Sequence, residues 1–431
     1  MRSGAFPLRL IIHHSALDTR RPSSDTPLML ELEQALERIL ASIPAPKSEL
    51  IPLGEAHRRV TFEKIAAGID LPPFDNSSMD GYAVRAADIL SATAQAPVSL
   101  PLGGRIAAGE RFSGELSAGS CIRIFTGSTL PAGADAVVMQ EDTQIDPKRP
   151  HEVLFLDSAK PWENIRFRGE DIKHGATIAA PGELLNAAHM ALLAASGVAH
   201  VPVSRRPSVA LLATGSELKE AGDSAALAPG QIYESNRTAL AQMVRSVGGI
   251  PKVFPIVPDD AEETRSALER ALAECDLVVT CGGVSVGEMD FVKGAFEDLG
   301  GQLQFWKVEI KPGRPFVFGR RREKFLFGLP GNPVSAFVTF LLLVRPALLR
   351  WQGADRVVLP TSAGVLAEPL SNPGGRRHFM RVRVDGKGNV HSSGIQASHV
   401  LSSLALADGL VDVPAKTNLS AGTAVQVLRW E

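Results

Sequence analysis

The fold class this sequence predicts is multi-domain α/β: a central three-layer α/β domain, a β-rich accessory domain and a small C-terminal β domain. Three observations carry it. The chain has 431 residues, beyond the size at which a single core keeps growing, so two to four domains are expected. Between residues 206 and 350, apolar runs of strand length alternate with amphipathic helical stretches, as in an open sheet with crossover helices. At 73–181 and 351–431 the texture changes to short β-prone runs punctuated by Gly, Pro, Asn and Asp.

Taken in order, residues 1–25 read as a disordered leader. Their apolar core, 8–12, is interrupted by Arg9 and is short for a secretory signal, and turn formers follow it from Asp18 to Asp25. Residues 26–72 and 182–205 are expected to form an N-terminal helical and linker domain. In it a helix over 27–43 carries Leu28, Leu32, Leu36, Ile39 and Leu40 on a helical period, with Arg38 late. The β-rich domain, 73–181, contains strand-like runs at 121–125 and 136–139. A helix over 184–196 then stops at Gly197.

The α/β domain, 206–350, opens with a strand at 209–213. Asn236 is expected to cap a helix that ends at Gly248-Gly249. A strand at 253–257 follows, and Asp259-Asp260 precedes a helix through 273. A strand at 277–281, a helix at 291–299 and strands at 303–308, 316–318 and 325–328 come next. Asn332 then serves as N-cap and Pro333 as first helical residue of a helix over 334–349. The longest apolar stretch, 334–344, falls short of the roughly 20 residues that span a bilayer, so no membrane association is expected. The last domain, 351–431, reads as short strands and Gly/Asn turns.

Charge is nearly balanced, Lys+Arg 45 against Asp+Glu 47, so no bulk electrostatic case for nucleic acid exists. Cys121, Cys275 and Cys281 are far apart and flanked by apolar residues. They read as buried small side chains of a reducing, cytoplasmic compartment, with neither a disulfide framework nor a zinc site.

Chemistry is expected at turns that follow strands. The segment 71–84 sets two carboxylates, two hydroxyls and an amide between apolar flanks, in residues that favour turns over helix interiors. In the α/β domain, Thr214–Glu217, Pro258–Asp260, Gly282–Asp290 and Gly328–Pro333 each follow a strand. Open α/β sheets bind ligands beyond their strand C-termini, and glycines there allow close approach. The helix start at Asn332-Pro333 can present free N–H groups to an anion. The chain has neither GxGxxG after a strand nor GxxxxGK[ST] nor HExxH. Asp80, Glu217, Asp259 and Asp290 can supply hard oxygen ligands to magnesium and phosphate. Lys307, Glu309 and Lys311 alternate, so they are expected on one face of one strand, with the two lysines flanking an anion. The run 320–324 reads as a solvated hairpin.

These segments resemble the molybdopterin molybdenumtransferases, the MoeA group that includes the E domain of gephyrin. The resemblance rests on PPFDNSSMDGYAVR (72–85), CIRIFTGSTLPAGADAVVMQED (121–142), NIRFRGEDI (164–172) and LLATGSEL (211–218). It continues in GQIYESNR (230–237), CGGVSVGEMDF (281–291), FWKVEIKPGRPFVFG (305–319) and GLPGNPVSA (328–336). It covers the chain from about residue 28 onward and is densest over 72–346. The resemblance implies a cytoplasmic homodimer of four-part protomers with a molybdopterin-binding α/β domain. The implied reaction takes adenylylated molybdopterin and molybdate, inserts the metal at the dithiolene and releases AMP, assisted by Mg2+.

By motif, the implied catalytic residues are Asp80, Thr126, Asp171, Glu217, Asp259 and Asp290, with Asp80, Glu217 and Asp290 as metal ligands. Substrate contacts are implied for Ser285, Lys307, Lys311, Pro330, Asn332, Pro333 and Arg376, with Arg381 a looser match. Transient contact with molybdopterin adenylyltransferase and with cofactor-accepting enzymes is implied too. Ser216 departs from the family, many members of which have Asp there, so one charge near the metal region is removed while Glu217 stays. The runner-up activity is molybdopterin adenylyltransferase, whose family shares the α/β domain and its GGxS turn; the extra domains argue against it. A non-catalytic scaffold of the gephyrin type is the third reading, and no separate interaction module supports it.

Overall fold

The structure is a computed structural model that describes residues 29–145, 147–223, 226–284 and 291–430. The chain divides into two compact units: Pro44–Arg206 with Leu348–Val357, and Met1–Ile43 with Pro207–Ala347 and Val358–Glu431.

The first unit is built on a six-stranded sheet. Its order is Ala136–Met139, Gly81–Val84, Cys121–Ile124, Val98–Ile106, Glu152–Phe155 and Thr143–Ile145. Alternation along Gly81–Val84 sends Tyr82 and Val84 to one apolar core and Ala83 to another on the opposite face. Gly81 has no room for a side chain, because a Cβ would lie 1.9 Å from the Val138 carbonyl oxygen. A second element of this unit pairs Ser48–Pro52 with His200–Ser204. It packs with the helix Ala187–Ala195, whose Asn186 and His189 form a reciprocal capping box. That helix stops at Gly197 (φ +77°), as the sequence predicts. Cys121 is buried here without a disulfide, and burial pushes its thiol up to about 12. Cys275 and Cys281, in the other unit, are buried and unpaired as well.

The second unit contains two six-stranded sheets. The first runs Ile250–Val253, Ser208–Ala213, Leu277–Cys281, Lys324–Leu329, Pro315–Arg321 and Gln302–Lys307. Its first four strands are parallel and the last two antiparallel. The three inner parallel strands, Ser208–Ala213, Leu277–Cys281 and Lys324–Leu329, are mostly apolar because both their faces are buried, whereas the edge strand Ile250–Val253 is largely exposed. Phe305, Phe316, Phe318, Phe325 and Phe327 stack across the antiparallel end. The second sheet, from the C-terminal residues, has the strands Arg377–Val384, Asn389–Ser392, Thr361–Leu366, Ala424–Arg429 and Gly409–Val413. It closes on itself where the last strand pairs back to the first, which removes free edges. Ile310–Lys311 adds to it in parallel.

Several expectations are corrected. The first helix is Leu32–Ser42, shorter than 27–43, because Leu30 instead pairs with the Lys307–Glu309 backbone. The strand expected at 253–257 is Ile250–Val253. Asn236 caps nothing: its helix, Asn236–Ser246, starts after Ser235, and the Glu234 carboxylate accepts from the N–H groups of Asn236 and Arg237. Asn332 stands at the N-cap position without a side-chain hydrogen bond, though Pro333 opens the helix as expected. That helical run continues from Pro333–Thr339 through a π turn, Phe340–Val344, into Arg345–Trp351. At 19 residues it is long and apolar enough to cross a membrane, contrary to expectation, but 83% of its apolar window is buried inside the protein. It is the core helix of a globular fold.

Candidate functional site

The four parallel strands end on one edge, and the turns singled out in the α/β domain meet there. Thr214 N–H donates to Cys281 O (3.0 Å), Gly215 N–H to Val257 O (3.0 Å) and Gly282 N–H to Leu329 O (3.1 Å). Gly282 and Gly283 adopt φ of +90° and +66°. A Cβ on Gly282 would lie 2.7 Å from Thr214 O, and one on Gly283 would lie 2.7 Å from Val292 Cγ2. These glycines are therefore demanded by close packing as well as by backbone conformation. With Val284, Pro315, Pro330, Gly331 and Asn332 they line a cavity of about 230 Å³.

Two carboxylates border this edge. Glu217 is exposed and its carboxylate folds back over Gly215. Asp259 is locked to Ser216 by a reciprocal pair: Ser216 N–H donates to Asp259 Oδ2, and Asp259 N–H to Ser216 Oγ, both at 3.0 Å. Asp260 is occupied as the N-cap of Ala261–Glu274. Ser285 and Asp290 lie outside the described residues. Among the described residues, no group of three or more His, Cys, Asp or Glu side chains could hold a metal ion.

A second cavity, about 690 Å³, shares Pro315 and Asn332 with the first. Lys311, Arg314 and Arg376 bring three cationic side chains to it, and Ser335, Gln396, Ser398 and His399 supply neutral polar groups; among the described residues none of the lining residues is acidic. Arg376 is fixed by donation from Nη1 to Ile310 O (3.0 Å). Burial lowers its pKa, the Arg314 charge adds to the effect and the Glu309 carboxylate opposes it; with three cations on its lining the cavity attracts an anion. His378, the register partner of Lys311, is 3% exposed, and its Nε2 has no hydrogen-bond partner. Burial, then the charges of Lys311, Arg381 and Arg376, lower its pKa to about 4, so it is neutral at physiological pH.

The shared strand face expected for Lys307, Glu309 and Lys311 does not exist. Lys307 ends a strand of the α/β sheet, opposite Pro315, whereas Ile310–Lys311 belongs to the C-terminal sheet. Between them Val308 N–H donates to Arg314 O and Ile310 N–H to Val308 O. That tight turn breaks the alternation, and Lys311 lines the larger cavity without Lys307.

In the other unit, Asp80 and Thr126 form a defined pair. Thr126 donates its N–H and its Oγ1–H to Asp80 Oδ1, both at 2.8 Å. These two bonds, backbone first, hold the Asp80 carboxyl below its ordinary range, and the Arg123 guanidinium adds to the effect. Asp171 is exposed on the same unit, its N–H bonded to Leu71 O.

Sequence reasoning missed Arg314, Gln396 and the Glu234–Arg237 pair. Arg237 is buried; its Nε donates to Glu234 Oε2 (3.0 Å), its Nη2 to Glu220 (2.8 Å) and its Nη1 to Phe254 O. Asn236 Nδ2 donates to Gly331 O (2.8 Å), so the helix start is tied to the Gly331 turn. The available signal was the charged pair at 234 and 237 beside apolar strands.

Three family models match in chain order: "MoeA N-terminal region (domain I and II)" over 30–197, "Probable molybdopterin binding domain" over 210–350 and "MoeA C-terminal region (domain IV)" over 363–430. A molybdopterin molybdenumtransferase of Haemophilus influenzae is 38% identical over 406 residues, covering 93% of this chain and 98% of that protein. The molybdopterin molybdenumtransferase 2 of Mycobacterium tuberculosis is 39% identical over 408 residues, covering 92% and 98%. Among solved structures, a molybdopterin biosynthesis MoeA protein from Pyrococcus horikoshii aligns with a TM-score of 0.78 at 34% identity, over 94% of this chain and 99% of that one.

Proposed function

The chain belongs to the MoeA family of molybdopterin molybdenumtransferases, which insert molybdate into adenylylated molybdopterin, and from that membership we propose how its residues share the reaction. The observation that carries the proposal is the 690 Å³ cavity, to which three cationic side chains and, among the described residues, no acid contribute lining. Molybdate is a tetrahedral dianion, and a pocket with one ammonium and two guanidinium groups suits it. The adjoining glycine-walled cavity suits the flat pterin and its dithiolene, with Pro330, Asn332 and Pro333 shaping the wall between them; Ser285 is proposed as a substrate contact from its motif alone. Lys307 is proposed to contact substrate separately from Lys311.

Breaking the phosphoanhydride with release of AMP requires the developing phosphate charge to be neutralised. Lys311 and Arg376 are assigned that role together with the backbone donors of the strand edge. Asp80, Thr126, Asp171, Glu217, Asp259 and Asp290 are the proposed catalytic residues. Mg2+, when bound, would neutralise phosphate oxygens, with Asp80, Glu217 and Asp290 as oxygen donors. Among the described residues no three such side chains converge, so this donor set is proposed from the family motifs alone. Asp80 keeps Oδ2 clear of the Thr126 bonds, and Glu217 is exposed at the strand edge. We further propose a cytoplasmic homodimer that meets molybdopterin adenylyltransferase and cofactor-accepting enzymes transiently.

The test uses the full chain with adenylylated molybdopterin. AMP release that depends on molybdate, with a molybdate KM raised at least several-fold by Lys311→Met, is the expected result. Formation of adenylate from molybdopterin and ATP would instead identify an adenylyltransferase. An unchanged molybdate KM in Lys311→Met would remove the cavity from the proposal.

A further inference from the structure

Arg381 lies in the strand Arg377–Val384 and is wholly buried. Among the described residues, no carboxylate is one of its hydrogen-bond partners. Its Nε donates to Ser403 Oγ (2.9 Å), and its Nη2 donates to Ile395 O (2.8 Å) and Ala397 O (3.2 Å). Its Nη1 has no partner. A buried guanidinium that meets only neutral acceptors costs stability relative to an apolar side chain of similar size. The side chain is therefore poorly explained by folding alone.

What it holds is one wall of the oxyanion cavity. The main chain of Arg381 exchanges bonds with the Gln396 amide: Arg381 N–H donates to Gln396 Oε1, and Gln396 Nε2 donates to Arg381 O, both at 2.9 Å. One residue thus fastens the 395–397 segment by its main chain and its side chain, and residues 396–399 line the cavity together with Lys311 and Arg376. From there Ser398 O accepts from Val334 N–H at the helix start (3.2 Å). We propose that Arg381 is a positioning residue for molybdate, acting through the 395–399 segment and adding its uncompensated charge to the field of the cavity. The inference rests on the assignment of that cavity to molybdate.

It predicts a specific kinetic split. Arg381→Met removes the charge and all three donors while keeping an unbranched apolar side chain. Losing charge-assisted bonds to the cavity wall should raise the molybdate KM about tenfold. The kcat for AMP release at saturating molybdate and the KM for adenylylated molybdopterin should stay within about threefold of wild type, because the smaller cavity is untouched. Arg381→Lys keeps the charge and one donor, so it should recover part of the loss.

Asn389→Ala, which removes the side-chain bond from Asn389 Nδ2 to Asp385 Oδ2 in the turn before Asn389–Ser392, is the control for destabilisation alone. It should lower the unfolding midpoint with the molybdate KM unchanged. A folded Arg381→Met enzyme with wild-type molybdate KM overturns the inference, as does a KM increase of equal size in Asn389→Ala. If Arg381→Met fails to fold, Arg381→Lys and Gln396→Ala carry the same test, and a wild-type KM in both overturns it. Lys311→Met separates the two claims. A raised KM there with none at position 381 leaves the cavity assignment standing and removes Arg381, whereas no effect at either position removes the cavity itself.

Discussion

At the scale of single residues, the Asp80–Thr126 pair and the strand-edge glycines make the sharpest predictions. The two Thr126 donors hold the Asp80 carboxyl below its ordinary range. Because the folded-state pKa is depressed, the ionised form is favoured by the fold, and this contribution is lost only as pH falls through the depressed value. Thr126→Val keeps the backbone bond and removes the hydroxyl one. Its acid limb for AMP release should move to higher pH than in wild type, as a pH–rate profile would record. An acid limb at the wild-type position would mean that Asp80 ionisation is not what turnover senses. Among the glycines, Gly282 and Gly331 should part company. A Cβ on Gly282 meets Thr214 O and Oγ1 at 2.7 and 2.9 Å with φ +90°, so Gly282→Ala should cost about 1–3 kcal/mol in urea unfolding. A Cβ on Gly331 finds its nearest neighbour, Gly282 Cα, at 3.8 Å. Gly331→Ala should therefore fold like wild type and raise the KM for adenylylated molybdopterin by narrowing the smaller cavity. Wild-type stability in Gly282→Ala would contradict this packing argument. Both glycines were visible as turn residues in the sequence; which one is packed and which one faces open space depends on contacts that local pattern does not encode.

Elements were legible where periodicity decided them and illegible where a neighbour did. The parallel strands and the helices at Ala261–Glu274 and Phe291–Asp298 follow from apolar runs and a helical period. Three polar residues at alternate positions from Lys307 read equally well as one strand, yet the chain turns at 308–310 to change sheets, a choice made by two tertiary partners. Asn236 reads as a cap, but a buried carboxylate, Glu234, takes that work. The oxyanion cavity was half legible: Lys311 stands in a quoted motif and the resemblance also implied Arg376 and, more loosely, Arg381, while Gln396 enters through the closure of the C-terminal sheet. That sheet also carries a pH dependence. His378 is lowered to about 4 by burial and by Lys311, Arg381 and Arg376, against an ordinary value near 6.5. Between these values the unfolded chain binds the proton and the folded one does not, so stability is full above the ordinary value and falls as pH drops toward the folded one. The urea midpoint should decline from pH 7 to pH 5, by on the order of 2 kcal/mol from this group. His378→Gln should flatten that decline; an equally steep slope in the variant would place its origin elsewhere.

At the scale of the whole molecule, the question is how many copies act together. The first unit exposes large apolar side chains on two segments that are themselves paired: Phe74 (42%) and Met79 (39%) on one, Trp162 (52%) and Phe167 (42%) on the other. Ile165 and Ser77 are register partners, Ser78 N–H donates to Asn164 O, and the rings of Trp162 and Phe167 lie 5.7 Å apart. Single exposed apolar residues are ordinary, but a cluster of four beside a polar pair such as Asp80 and Thr126 marks a surface meant to be covered. A second copy of the chain is the occupant the family suggests, and an isologous contact would present the same patch from both sides. The protein should therefore sediment at twice the chain mass. Trp162→Glu with Phe167→Glu would set charges into the desolvated patch and should shift the species to monomer, with the unfolding midpoint of the isolated chain little changed because both side chains are exposed. AMP release should fall with dimer content, and dilution of wild type toward its dissociation constant should reproduce that fall without any mutation. A wild-type monomer at micromolar concentration, or a double variant that remains a dimer, would show that this surface is covered by something other than a second copy.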